Sequence, residues 1–431
     1  MKIVNILIIT SLMVVISCSP KKEQANNFTS SSDTLVLTTN KIKGIDLFSA
    51  GAGAFHFRDT AEEYDYPVIF PKSISDIKLA WTHIDSKPFQ FGSLKKDKSD
   101  YIKTFLKENF PTKIDTLNLP SIKDNSICIM SGRRGKDMVF IVDENNNKDF
   151  RDDSVRLFQK IEWRTISKLI KCKYMIYNGK ETVEDSSWMN IGTINDYDND
   201  LCFFVSHHLE STFSIDNQNY QIGVIDEQSH FGFDEPVLAL ISQKGIRKDT
   251  LLESELLKKG EYVKLANTYY RFDDISNDGK YITLIKENDF NSKIGTQVGM
   301  KAPNFNCHSI DGDSISLNDY KGKYLLLLNV SACWSEVSSY TCFMDLTETF
   351  KGKLEFLGID DSSIALRNNI KDSNISGRFV IAADNQIIRR FYRPLICSRT
   401  CFLINPNGSI IDKFEIFDWK SNLAEVFGSK K

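Results

Sequence analysis

Nine cysteines are the residues with the most chemistry to offer in this chain. Cys18 ends an apolar N-terminal run, and Cys128, Cys172, Cys202, Cys307, Cys333, Cys342, Cys397 and Cys401 are scattered through the body. No Cys-x-x-Cys occurs, and the spacing is too wide for a disulfide-stapled miniprotein. Each isolated cysteine therefore reads first as a small buried apolar side chain. Cys307-His308 pairs two metal-ligand types, but one adjacent pair without partners is a poor site. The best candidate for hard-oxygen ligation is the stretch from Asp143 to Asp153, where Asp143, Asn145, Asn147 and Asp149 alternate as in calcium loops. Lys148 stands where such loops place the turn glycine and Ser154 where they place a bidentate carboxylate, so a solvated hairpin turn competes with calcium. Asn195 to Asp200 is a second acidic loop. His207-His208 lies in a strand-like run, which sends the two rings to opposite faces and away from a shared ion. Arg133-Arg134 reads as a charged turn, and no Gly-rich phosphate loop, zinc-protease motif or nucleophile elbow is present.

The chain that must position these groups has 431 residues, which predicts two or three domains. Its composition, 41% hydrophobic and 26% charged, is that of a folded globular protein. Lys and Arg number 54 against 57 Asp and Glu, for a net charge of -3; that balance argues against a nucleic-acid partner, because phosphate neutralisation needs a basic surplus. At the N-terminus, Lys2 precedes a run from Ile3 to Ile16 that is apolar apart from Asn5, Thr10 and Ser11. The run is short for a membrane span and suits a signal h-region. Val15-Ile-Ser-Cys18 is similar to the bacterial lipobox, in which the cysteine is lipidated, with a plain signal peptide or a buried strand as the alternative. Residues 1–18 are thus expected to be a lipoprotein signal peptide and 19–33 a flexible polar tether. The implied location is the bacterial cell envelope, at the outer membrane facing periplasm or surface, held to the membrane by lipid alone.

From 34 to 295 the chain reads as a β-rich region of one or two domains. Thr34 to Thr39, Asp137 to Val142, Leu201 to Val205 and Tyr281 to Ile285 are short runs of β-branched and aromatic residues. Asn277-Asp-Gly279 is a hairpin signal, and Asp100 to Asn109 carries a helical stripe. From 297 to 431 the pattern changes to an open sheet covered by helices. Tyr324 to Val330 is a buried strand, followed by a helix near Ser335 with Val337, Tyr340 and Met344, joined by Phe343 and Leu346, on its inner face. Next come Leu354 to Ile359, a helix from Ser362 to Lys371, a strand Phe379 to Ala382 and a helix from Asn385 to Arg393. Cys401 to Ile404 and Ile410 to Ile416, joined by Asn405-Pro-Asn-Gly408, precede a short C-terminal helix. The fold class expected is α+β multidomain, with a β-rich N-terminal region and a C-terminal α/β domain.

Gly299-Met-Lys-Ala-Pro-Asn-Phe305, Asp311-Gly312, Ser316-Leu317 and Asp319-Tyr-Lys-Gly-Lys323 resemble the opening of TlpA/ResA-like thiol-disulfide oxidoreductases and the related AhpC/TSA peroxiredoxins. Phe402-Leu-Ile-Asn-Pro-Asn-Gly408 resembles the family's later strand and turn. The resemblance covers about the last 130 residues through an ordered set of short signatures. It implies a thioredoxin-like fold there and, by looser analogy, a Bacteroidetes-type envelope lipoprotein with a β-rich module ahead of it.

The family places Trp-Cys-x-x-Cys where the first long strand feeds a helix, whose free N–H groups and dipole stabilise a thiolate. Here Asn329 and Trp334 align Ser335 and Ser338 with the two cysteines, and serine neither ionises near neutrality nor forms a disulfide. The family's cis-proline slot holds Arg399 or Ser398, with Pro394 too far upstream. The resemblance thus implies a degenerate site that binds a protein or peptide of the envelope without reacting. Two enzymatic alternatives stay open. Sliding the alignment by two makes Cys333 the nucleophile of a Cys333-Trp-Ser-Glu336 motif similar to a peroxidatic loop, though its lead-in lacks the expected proline and threonine. Alternatively, Cys333 pairs with Cys397 or Cys401 in a displaced disulfide. A structural or assembly role carried by the β-rich region is the third reading.

Overall fold

The computed structural model describes residues 28–30, 33–49, 51–59, 68–84, 126–161, 168–178, 181–193, 200–226, 231–233, 236–330, 338–361, 368, 375–393 and 398–428. The expected signal peptide with Cys18 and most of the expected tether lie outside them, as do the helix expected from Asp100 and, apart from residue 368, the helix expected from Ser362.

Alternating apolar residues and tight turns make the N-terminal part an assembly of antiparallel sheets. Thr268–Ile275 and Tyr281–Glu287 pair around the Asn277-Asp-Gly279 turn, where Gly279 takes a φ of 70°. Thr34–Thr38 adds beside Tyr281–Glu287, with Leu37 opposite Ile282, so the first and last strands of the region are neighbours. This sheet packs Leu35, Leu37, Phe272 and Leu284 against Leu209, Phe213, Ile222 and Leu238 of a second sheet built on His207–Ile215, Gln218–Asp226 and Pro236–Gln243. A second pair of sheets encloses another core. Ser75–His83, Ser126–Arg134 and Asp137–Val142 supply Ala80, Ile127, Ile129 and Phe140, and Ile170–Tyr177 and Thr182–Gly192 supply Cys172, Tyr174 and Met189. Lys41 links the two assemblies. From the strand Asn40–Lys43 it reaches Asp185 at 2.5 Å and the Tyr174 hydroxyl at 3.1 Å. Burial lowers the Lys41 pKa while the Asp185 carboxylate opposes the shift.

The C-terminal sheet has five strands in the order Phe379–Ile381, Glu355–Asp360, Leu325–Asn329, Thr400–Ile404, Ile410–Glu415. The first three run parallel, Thr400–Ile404 runs antiparallel to them, and Ile410–Glu415 is antiparallel to Thr400–Ile404 and so returns to the first direction. Leu325 to Leu328 are all fully buried because both faces are covered. Leu326 and Leu328 meet Tyr340, Phe343 and Leu346 of the helix Ser338–Thr349 and Trp419 and Leu423 of the helix Trp419–Phe427. Leu325 and Leu327 meet Phe305, Ile388 and Tyr392 on the opposite side. The architecture is the expected one: a β-rich N-terminal part and a thioredoxin-like α/β domain.

Two local expectations change. Met344 is 40% exposed, because the inner stripe runs through Tyr340, Phe343 and Leu346 at three-residue steps. The stretch expected as a helix from Asn385 to Arg393 closes as a π-helix over Ile388–Tyr392, which leaves Arg393 at its C-cap pointing into the domain.

Gly358 is a close approach: a Cβ there would lie 2.3 Å from the Phe379 ring. Gly358→Ala is expected to destabilise the C-terminal domain by about 1–3 kcal/mol, read from the urea midpoint of that domain's transition in the full chain.

Candidate functional site

The site grows from the C-terminal end of the central strand. Asn329 breaks an all-leucine run and is fully buried. Its Nδ2 donates to the Tyr392 carbonyl at 2.8 Å and to the Thr400 carbonyl at 2.6 Å, and its Oδ1 accepts from Arg393 Nη1 at 3.1 Å. The same Nη1 lies 3.2 Å from the Val330 carbonyl and 3.1 Å from that of Ile359, while Nη2 donates to Asp361 at 2.7 Å. One guanidinium therefore gathers carbonyls from two strand ends, where the sheet ladder stops. The Arg393 side chain is fully buried and Asp361 is 32% exposed, so the pair runs from the interior to the surface. A permanently charged arginine tolerates this position only with that carboxylate and those oxygens around it. Among the described residues its Nε, which is buried, has no partner. Nearby, the Tyr340 hydroxyl donates to Asp360, a buried carboxylate at the end of the adjacent strand. That bond fixes the first turn of the helix Ser338–Thr349 against the sheet.

Cys333, Trp334 and Ser335 lie in 331–337, and Cys397 in 394–397, outside the described residues; Ser338 opens the helix. The structure describes Cys401 in full. It sits opposite Leu328 in the sheet, is wholly buried in the apolar core, and burial pushes its thiol well above the ordinary range. Cys342 is partly exposed on its helix, its thiol also raised by burial. Cys307 sits in the strand Asn306–His308, its thiol pushed up to about 11 by burial. A low-pKa thiolate needs the opposite environment, polar and electropositive. At the proline slot, Ser398 Oγ lies 3.2 Å from Thr400 Oγ1 and Arg399 stacks over Phe417.

The calcium candidates form a turn held by its own groups. Asp143 is fully buried and accepts from the amides of Asn147 (2.9 Å) and Lys148 (3.0 Å), with Lys148 Nζ at 3.6 Å. Asn145 and Asn147 carbonyl oxygens accept from Asn147 and Asp149 amides, and both side-chain amides donate to Asp152. Asp149 turns outward to Arg151 at 2.6 Å, and that bond holds its carboxyl at about 2. Asp143, Asn145 and Asn147 thus hold amides of their own turn, and Asp149 pairs with an arginine. Lys148 takes the left-handed conformation, φ 64°, that a turn glycine would favour. His207 and His208 point apart as predicted: His207 meets Ser187 and Phe233, and His208 meets Gly44 and Glu210.

Residues 298–413 match the family model of the AhpC/TSA family. The thiol-disulfide oxidoreductase ResA of Bacillus cereus strain ATCC 10987 is 27% identical over 141 residues, covering 32% of this chain and 80% of that protein. ResA of Bacillus cereus strain ZK is 29% identical over 130 residues, 29% of this chain and 73% of its own. The C-terminal domain is a TlpA/ResA-like redoxin of the thioredoxin fold. Solved structures similar to the redoxin domain include the thioredoxin domain of a thiol-disulfide oxidoreductase from Bacteroides vulgatus, 22% identical, covering 30% of this chain and 96% of that one, TM-score 0.26. A thiol-disulfide oxidoreductase from Bacteroides fragilis is also 22% identical, covering 30% and 99%, TM-score 0.26.

Sequence reasoning used Asn329 only as an alignment anchor and missed Arg393, Asp360 and Asp361. A lone asparagine ending a leucine run is the available signal, since a buried amide must find partners. Arg393→Met is expected to cost the redoxin domain about 3 kcal/mol in urea denaturation, because four oxygens lose one donor group together. A second test concerns Asp153, whose carboxyl burial pushes up to about 7, with Asp143 and Asp152 adding to the shift against the Glu144 amide. The folded chain then holds a proton that the unfolded chain releases above about pH 4. Stability from this group therefore falls as pH rises from about 4 to about 7, and Asp153→Asn is expected to flatten that part of the stability profile.

Proposed function

We propose that this protein is a lipid-anchored envelope protein, modified at Cys18, whose redoxin domain binds a partner polypeptide and no longer turns over dithiols. The observation that carries this reading is Ser335-Glu-Val-Ser338, which feeds the helix Ser338–Thr349 where the relatives' chemistry requires two thiols. Hydroxyls at a helix mouth donate and accept hydrogen bonds but do not form mixed disulfides. Support comes from the thiols around that helix. Cys401 packs in the core, and burial raises both Cys401 and Cys342, so neither presents a ready thiolate. The framework that would present a binding surface does not need sulfur at those two positions, because the central strand is held by the Asn329–Arg393 contacts and the leucine core.

The rival reading makes Cys333 a displaced nucleophile working with Cys397 or Cys401. Reduction of a protein disulfide by the full chain separates the two. Turnover indistinguishable from the uncatalysed rate, unchanged in Cys333→Ala, is the expected result; turnover that disappears in Cys333→Ala overturns the binding assignment. Anchoring is tested independently: Cys18→Ser is expected to move the protein from the membrane fraction to the soluble fraction, and retention in the membrane fraction would refute lipid attachment at that residue.

A further inference from the structure

We propose that the β-rich part carries a divalent transition-metal site, of the kind zinc occupies, formed by His208, Glu210 and Asp46. His208 and Glu210 are two apart in the strand His207–Ile215 and so share a face. Asp46 comes from the turn after Asn40–Lys43, where a φ of 52° brings its carboxylate to the same point. One ligand atom from each residue lies within 4.8 Å of the others, at the wall of a cavity of about 250 Å³ that Lys43 and Arg247 also line.

The imidazole is set for ligation. His208 is buried, and its Nδ1 lies 2.7 Å from the Gly44 carbonyl, an acceptor only, so Nδ1 carries the hydrogen. In the neutral ring Nε2 then presents a lone pair, 3.2 Å from Glu210 Oε1. A proton on Nε2 would make this contact a hydrogen bond to the carboxylate, and a metal ion can take that proton's place between the two groups. A backbone carbonyl holding the far ring nitrogen is the usual support of a ligating histidine. The carboxylate has its own support: Gln221 Nε2 donates to Glu210 Oε2 at 2.7 Å, leaving Oε1 for the site. The cation now bridging the carboxylates is Arg247, 2.5 Å from Asp46 and 3.2 Å from Glu210, on a side chain 42% exposed. A surface guanidinium can swing outward, and a small ion bound at about 2.0–2.2 Å by one nitrogen and two oxygens takes its place, with the cavity side left for water. The ligand set of one imidazole and two carboxylates suits zinc and its first-row neighbours over magnesium, which favours all-oxygen shells.

The test is Zn2+ titration of the purified full-length protein by calorimetry, with Co2+ absorption as a spectral probe. The expected result is one Zn2+ per chain and a Co2+ spectrum without a thiolate charge-transfer band. Glu210→Gln and Asp46→Asn, both partly exposed positions, are expected to weaken binding by about tenfold or more, and Gln221→Leu by about tenfold through loss of carboxylate support. Arg247→Gln is expected to tighten it, because the competing cation is removed, an effect opposite to that of a purely structural ion pair. The proposal fails if the parent chain binds no Zn2+. It fails equally if Glu210→Gln and Asp46→Asn bind like the parent, if Arg247→Gln weakens binding, or if alkylating the cysteines abolishes it. Circular dichroism confirms that each variant is folded before its affinity is compared.

Discussion

The redoxin domain depends on one strand. Leu325–Asn329 pairs in parallel with Glu355–Asp360 on one side and antiparallel with Thr400–Ile404 on the other. It divides the apolar interior into two layers, and every one of its leucines is out of contact with water. Four leucines in a row leave no polar group to mark where the strand stops. Asn329 does that. Its amide and the Arg393 guanidinium bond the backbone oxygens of Tyr392, Thr400, Val330 and Ile359, so the end of the strand is held by side chains.

This arrangement separates the shape of the site from its chemistry. Thiol-disulfide exchange needs an ionisable sulfur at the helix mouth and a second within reach, whereas the central strand is held by the Asn329–Arg393 contacts and the leucine core. Under the proposed function, serines at Ser335 and Ser338 leave this core unchanged, and recognition would use the scaffold without thiol chemistry. Function follows the side chains presented on the scaffold rather than the scaffold itself.

The β-rich part follows another logic. Its two sheet pairs each have an apolar core, and polar contacts bridge them: Lys41 with Asp185 and Tyr174, and Ser187 with His207. Buried polar groups at a junction between cores specify one relative arrangement, because an unmatched partner costs more than a misplaced apolar contact. His207 and His208 show the consequence of strand alternation. Neighbours in sequence, they serve opposite faces, one at that junction and the other at the rim with Glu210.

What the sequence determined by itself was whatever depends on local pattern and short signatures. The leucine strand, the turns at Gly279 and Gly408 and the switch from alternating to α/β patterning were all legible there, because backbone preference and residue chemistry act over a few neighbours. The inner stripe of the helix at Tyr340, Phe343 and Leu346 was only half legible, since a three-residue and a four-residue step fit the same short run. Tertiary structure decided the rest. Arg393 lies 64 residues from Asn329, and Asp46 lies far from Glu210, so no local pattern announces either meeting. The loop from Asp143 to Asp149 reads as a ligand set in one dimension, yet its carboxylates go to backbone amides and to Arg151 once the chain turns. Which polar groups meet is a property of the closed fold, because burial makes partners necessary and the packing of distant strands supplies them.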